Sequence, residues 1–385
     1  MSQPPHVLIN GLSIGGGGGY TVARELLRHI ALARPAWRMT IALIDQHPLH
    51  MGFRDEALPE NCNLLWAPAA TAKRFQRVLF ENGQLVRWTA ANEVSSVLQL
   101  NGMILPRLRL PTISHNQDPW PYRPEAWYGA RDRLLAMLKR REHRRAMRRA
   151  DVYGWTSHYL ERLVCDAQGI QPKRSVVFPN GLPESWIKRA DGGFTDWRAR
   201  PMELVTVSEV DPYKRQDLVI RAVAELVKNP AMRELRYRIA GGCKKPGYLG
   251  ELAQLAASLG IRDRIIIEGR ISDARVSEIM AGGRAFVLMS VCESFGIPAI
   301  EAMTFGTPVV VADCCAMPEV CGNAALLVRP DDLQGLVAQL ERVLTDESIA
   351  NRLRAAGLLR IKEFPWSRTA VSMAECFDEL HDRVR

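Results

Sequence analysis

The chain has 385 residues, 47% of them hydrophobic and 24% charged, with a net charge of +9. That is an ordinary globular composition and enough length for two α/β domains, each with its own core. No run approaches the roughly eighteen uninterrupted apolar residues of a spanning helix. The N-terminal MSQPPHVLIN lacks the basic region, apolar stretch and cleavage site of a signal peptide, so a cytoplasmic protein is expected. The eight cysteines are scattered without paired C-x2-C spacings, which argues against a zinc site and for reduced thiols.

Residues 6–10 (HVLIN) read as a short apolar strand, followed by GLSIGGGGGY and, from Tyr20, a helical pattern with Val22, Leu26, Leu27 and Ile30 on one side. Consecutive glycines remove every Cβ from the turn, so a ligand and the backbone of Gly16, Gly17, Gly18 and Gly19 could approach closely. The spacing is not the G-x-G-x-x-G of dinucleotide sites. Strands are expected at 38–44, 62–66 and 95–100, the last ending in the turn signal Asn101-Gly102, with helical patterns over about 71–91 between the second and third. This β-α-β alternation predicts a mostly parallel sheet covered on both faces. The strand 111–115 ends in His115, at the carboxyl end where doubly wound sheets meet their ligands. A lone histidine there otherwise reads as a structural hydrogen-bonder. Trp120, Tyr122, Trp127 and Tyr128 either pack the following loop or stack on a sugar.

Residues 131–149 (RDRLLAMLKRREHRRAMRR) carry nine Lys/Arg against Asp132 and Glu142, a net +7 that accounts for most of the excess charge. Such a helix suits an anionic membrane surface, or it is simply a solvated basic face; nucleic acid is not expected. After a strand at 151–155 and a helix from about Thr156 to Ala167, Asn180-Gly181 with Pro183 makes a strong turn. The logic of the first half then repeats. Strands are expected at 203–207, 236–240, 264–268, 285–290, 308–312 and 325–328, with helices between them, including 215–228 and 333–345, and a last helix from about Trp366.

The stretch Cys292–Pro308, CESFGIPAIEAMTFGTP, follows the strand 285–290. Pro298 suits the first turn of a helix, and Gly306 and Pro308 suit its end. A helix N-terminus is a ready phosphate site, and here Glu293 lies before it and Glu301 about one turn inside. A ligand with phosphate at the helix start and hydroxyls on both sides is a nucleotide sugar. E-S-F-G-I-P-A-I-E resembles the E-x7-E signature of retaining glycosyltransferases of family four, the glycosyl transferases group 1. The following G-T-P-V-V-V-A and P-E-V-C-G-N-A-A-L-L-V are similar to that family as well.

The resemblance implies the GT-B fold, α/β with two doubly wound Rossmann-like domains facing across a cleft and a C-terminal helix crossing back to the first. The expected bounds are 1–185 with 366–385 for the acceptor domain and 196–365 for the nucleotide-sugar domain. It also implies roles. Glu301 would bind the ribose hydroxyls and Glu293 would sit by the transferred sugar. The N–H groups of Phe295, Gly296 and Ile297 would hold the diphosphate together with Lys214, and the Gly16–Gly19 loop would face the donor. Arg270 would lie near the nucleobase, and His115 near the reacting sugar. The chain departs from the family where Ser208-Glu209 replaces the usual Gly-Arg, which leaves Arg215 as a substitute cation. No D-x-D spacing occurs, so no metal and no cofactor is expected.

The expected reaction is retaining transfer of a hexose, GDP-mannose-like on the likeness of P-Y-K-R to some mannosyltransferases, to a saccharide or lipid-linked acceptor in bacterial surface polysaccharide synthesis, at the inner face of the plasma membrane. A UDP-sugar donor, a sugar-nucleotide epimerase of the same fold, and a membrane-binding protein with a decayed transferase site remain as alternatives.

Overall fold

The computed structural model describes residues 4–14, 17–48, 50–54, 57–190 and 196–383. The chain divides into two units. The first comprises residues 1–122, 129–181 and 366–385, and the second 123–128 and 182–365. Residues 123–128 and 182–185, placed with the first domain by the sequence reading, pack with the second unit.

The first unit contains strands β1 (His6–Asn10), β2 (Arg38–Ile44), β3 (Cys62–Ala67), β4 (Ser96–Leu100), β5 (Thr112–Asn116), β6 (Val152–Trp155) and β7 (Ser175–Val177). They form one seven-stranded sheet in the order β3-β2-β1-β4-β5-β6-β7, and every pair is parallel. Its helices are α1 (Gly17–Ala33), α2 (Arg74–Asn82), α3 (Gln84–Ala91), α4 (Ala130–Arg149) and α5 (His158–Gln168). The second unit opens with α6 (Glu184–Arg189) and continues β8 (Glu203–Val207), α7 (Gln216–Leu226), β9 (Arg236–Ala240), α8 (Tyr248–Ser258), β10 (Ile265–Gly269), α9 (Asp273–Gly282), β11 (Ala285–Leu288), α10 (Ile297–Thr304), β12 (Val309–Ala312), α11 (Met317–Cys321), β13 (Ala325–Val328), α12 (Leu333–Thr345) and α13 (Glu347–Arg360). Its six strands lie in the order β10-β9-β8-β11-β12-β13, again all parallel.

Strands such as Val309–Ala312 are buried along their whole length, as a parallel sheet covered on both faces requires. Local chemistry sets many ends. Ser157 accepts from the Leu160 N–H at 3.1 Å to start α5, and Gly169, with φ 62°, ends it in the left-handed region. The helical pattern over 71–91 breaks at Gly83 into two short helices.

The last helix, α14 (Trp366–Asp382), belongs to the first unit. It packs against α1: Arg34 Nη2 reaches Asp378 at 2.6 Å, and Trp37 meets Phe377 edge-on at 6.2 Å. This is the return helix expected of the fold.

Candidate active site

In an open parallel sheet, ligands bind beyond the carboxyl ends of the strands where the strand order reverses. In the second unit that point lies between β8 and β11, so the loops after Val207 and Leu288 are the ones that meet there. A backbone hydrogen bond ties them together, from Val291 N–H to Tyr213 carbonyl at 2.9 Å. Asp211 starts a short turn over Pro212–Lys214 by accepting from the Tyr213 N–H. That turn carries Lys214 across to Glu293, with Nζ 2.5 Å from Oε1 and both side chains nearly enclosed, 11% and 12% exposed. Burial works to lower the Lys214 pKa, but the adjacent Glu293 carboxylate, with Tyr213, outweighs it and holds the ammonium charged, above its ordinary value.

Gly296 is the turning point into α10. Its φ of 85° is a left-handed conformation, and a Cβ there would lie 2.4 Å from Met317 Sδ. Phe295 is buried edge-on against Phe364 at 5.3 Å, which fixes the loop from below. The first N–H groups of α10 have no partner within the helix and carry its partial positive charge. Glu301 stands one turn further on. Burial, and secondarily the Asp273 carboxylate, push it up to about 7. The structure therefore brings Lys214, Glu293 and the Phe295–Ile297 backbone to one end of the sheet, with Glu301 on the same helix.

Arg215 also adopts a left-handed φ, 58°, but its guanidinium is held by Asp331 at 3.1 Å and approached by Asp217 at 3.6 Å. Glu209, where the family has arginine, pairs with Lys244 at 2.6 Å. Arg270 is exposed after β10, with Nη2 3.5 Å from where a Cβ on Gly242 would sit.

In the first unit, His115 lies next to last in β5 and is 1% exposed. Its ring meets Phe178 edge-on at 6.0 Å, and Nδ1 is buried without a hydrogen-bond partner among the described residues. Burial drives its pKa down to about 3, so it is a neutral imidazole at any ordinary pH and supplies no charge. Of the glycine loop, Gly16 falls outside the described residues, while Gly17, Gly18 and Gly19 open α1. A Cβ at Gly18 would meet nothing within 4 Å, so packing within the unit does not require glycine there.

Tyr122 is 5% exposed and bonded to His143 at 3.1 Å and Gln168 at 2.8 Å, which makes it a packing residue rather than a sugar platform. Tyr128 belongs to the second unit and donates to Asp211. Asn10, Glu81 and Gln99 gather at the reversal point of the first sheet and were missed by sequence reading. A polar residue at the end of each of two apolar strands, HVLIN and SVLQL, was the available signal. No helix among the described residues is long and apolar enough to cross a membrane.

Residues 194–360 match the family described as "Glycosyl transferases group 1". Among curated relatives, the serotype-specific mannosyltransferase WbdA of Escherichia coli is 30% identical over 179 residues, 46% of this chain and 22% of the relative. An MMP alpha-(1->4)-mannosyltransferase of Mycolicibacterium hassiacum is 29% identical over 220 residues, 56% of this chain and 51% of the relative. The alignments thus span about half the length of these relatives or less. Among solved structures, sucrose-phosphate synthase from Thermosynechococcus elongatus superposes with a TM-score of 0.78 at 18% identity, covering 99% of this chain and 100% of that one. Anabaena HepE in complex with UDP and glucose gives 0.74 at 18% identity, over 97% and 100%. WaaG, a glycosyltransferase involved in lipopolysaccharide biosynthesis, gives 0.69 at 16% identity, over 96% and 98%. At these identities the structural likeness is one of fold. Residues 194–360 are thus similar to the glycosyl transferases group 1, and the chain shares the GT-B fold of these solved structures.

Proposed function

We propose that the protein transfers a hexosyl group, with retention, from a nucleoside diphosphate sugar to a saccharide or lipid-linked saccharide in the synthesis of a surface polysaccharide. The observation that carries this is the buried Lys214–Glu293 pair at the start of α10, at the reversal point of the second sheet. In this reading the ammonium of Lys214 and the N–H groups of Phe295, Gly296 and Ile297 bind the diphosphate. Glu293 faces the sugar, and Glu301 accepts from the ribose hydroxyls. Because Lys214 and the helix terminus meet the phosphate charge, no divalent cation is required. Arg215, engaged by Asp331 and Asp217, has no part in it; Arg270 is assigned to the base.

The acceptor hydroxyl oxygen attacks the anomeric carbon on the face the diphosphate leaves. The carbon–oxygen bond to phosphate breaks, and the departing phosphate oxygen takes the hydroxyl proton. In this reading His115, neutral and enclosed in the first unit, serves as a hydrogen-bonding group and not as a charged one.

The mannosyltransferase relatives favour a GDP-mannose-like donor, and the UDP-bound fold relative makes UDP-glucose the alternative. A panel of nucleotide sugars, assayed for nucleoside diphosphate release with and without EDTA, tests both. Release from one donor, unaffected by EDTA, is expected. No release from any donor, or release restored only by magnesium or manganese, would overturn the respective part.

The outer face of α4 suits an anionic membrane surface. Leu134, Met137 and Leu138 are exposed on it, and Arg141 and Arg148 continue the same stripe. Arg140 and Arg144 do not take part, since they bond the Pro121 carbonyl at 2.7 Å and the Gln168 carbonyl at 2.6 Å.

A further inference from the structure

The strand order of the first sheet reverses between β1 and β4, and a cavity of about 160 Å³ opens there. At about 30 Å³ per water it has room for about five waters, the scale of one sugar ring. Asn10, the last residue of β1, and Gln99, next to last in β4, are 2% and 3% exposed. Asn10 Nδ2 donates to Gln99 Oε1 at 3.1 Å and to Glu81 Oε1, from α2, at 2.9 Å.

These bonds leave a donor and an acceptor without partners. Gln99 Nε2 is buried with no hydrogen-bond partner among the described residues. Glu81 uses only one of its oxygens in the bonds above, and burial raises its pKa. A buried donor without a partner is costly, and both groups line the cavity. A donor beside an acceptor matches a sugar hydroxyl, which does both. One wall, Met103 to Pro106, is mainly apolar and suits the C–H face of a sugar ring. The rim carries Arg74, Arg77 and Arg145 against the single further acid Glu142. Guanidinium groups bind phosphate and carboxylate in planar, two-pronged fashion.

We propose that this cavity is an acceptor subsite for a monosaccharide unit bearing an anionic substituent, a phosphate or a carboxylate. Gln99 and Glu81 read its hydroxyls, and Arg74 and Arg145 its charge, while Arg77 is held by the Leu12 carbonyl at 3.2 Å. The assignment to the acceptor rests on the transferase reading above; the binding chemistry of the cavity does not.

Titration calorimetry on the full chain tests it, with glucose 6-phosphate, glucuronate, glucose and inorganic phosphate as probes. At least one charged sugar should bind at least fivefold more tightly than both glucose and inorganic phosphate, and which one does so distinguishes phosphate from carboxylate. Gln99→Leu and Arg145→Ala should each weaken that binding at least fivefold and leave nucleoside diphosphate affinity unchanged. Arg145 is exposed on α4, so its variant decides the matter even if Gln99→Leu lowers the melting temperature. Charged sugars binding no better than glucose or phosphate, or binding both variants as they bind wild type, would overturn the proposal. Wild type that binds a charged sugar but no nucleoside diphosphate would refute the transferase reading and leave the sugar site standing.

Discussion

Glu301 shows how one carboxylate ties binding to pH. With its pKa raised to about 7, it is half protonated at neutral pH in the free protein. A ribose hydroxyl donates best to the ionised form, so below pH 7 binding must first remove a proton. Nucleoside diphosphate affinity should therefore rise with pH and level off above about 8, and at pH 6 it should be about tenfold below that plateau. Glu301→Gln should remove this component and leave only the titration of the nucleotide phosphate. Calorimetry across pH 5.5–8.5 on both proteins makes the comparison; equal pH dependence in the two would take Glu301 out of the ribose contact. The neighbouring pair behaves differently. Lys214 and Glu293 neutralise one another in a nearly enclosed site, where removing either partner leaves a buried charge uncompensated, a cost of about 3–5 kcal/mol. Loss of activity on mutating either one is thus informative only when melting is measured alongside.

At the scale of an element, α10 depends on the backbone of one residue. Gly296→Ala forces a side chain into the left-handed region, about 1–2 kcal/mol, while the crowded Met317 Sδ is the end of a flexible chain and can move. The expected result is a slightly lower melting temperature and at least tenfold weaker nucleoside diphosphate binding, because the phosphate-binding N–H groups turn away. A variant with wild-type affinity would remove the helix terminus from the site. Helix α4 divides its charges by face, with Arg140 and Arg144 bonded inward and Arg141 and Arg148 exposed. Replacing Arg141 and Arg148 with Gln should leave melting unchanged and weaken binding to anionic phosphatidylserine vesicles about 30-fold, at about 1 kcal/mol per residue. Vesicle sedimentation at low salt reads the effect, and wild type that stays in the supernatant would dismiss the membrane contact.

On the scale of the molecule, the two units should respond unequally to acid. All eight histidines lie within the first unit and none within the second. Burial holds His50 and His143 down to about 4 and His115 to about 3. Each is neutral when folded but protonates near 6.5 when unfolded. Their stabilising contribution is therefore complete above pH 6.5 and is lost as pH falls towards the folded values. At pH 5 the loss is on the order of 2 kcal/mol for each. Glu301 in the second unit has the opposite sign, since acid favours its protonated folded form. Hydrogen exchange at pH 7 and pH 5, corrected for intrinsic rates, should show protection lost in the first unit well before the second. Uniform loss across both would contradict this.

The sequence by itself determined what is local and periodic. Buried parallel strands such as Val309–Ala312 are continuous apolar runs, and Pro298 and Gly306 bracket α10 because each suits one end of a helix and not the other. The spacing of Glu293 and Glu301 around a helix start pointed to a phosphate-bearing ligand before any fold was known. Contacts between distant segments were decided by tertiary structure alone. Lys214 and Glu293 are joined because the strand order brings the β8 and β11 loops together, and no local pattern encodes strand order. Arg215 stood in the sequence as a substitute for the arginine missing at Ser208-Glu209, and only the fold pairs its guanidinium with Asp331. The net charge of residues 131–149 was legible, but which arginines face inward depended on where Pro121 and Gln168 present their carbonyls. The cavity at Asn10, Glu81 and Gln99 needed three segments to meet, and only the folded sheet places an unpartnered amide beside a carboxylate.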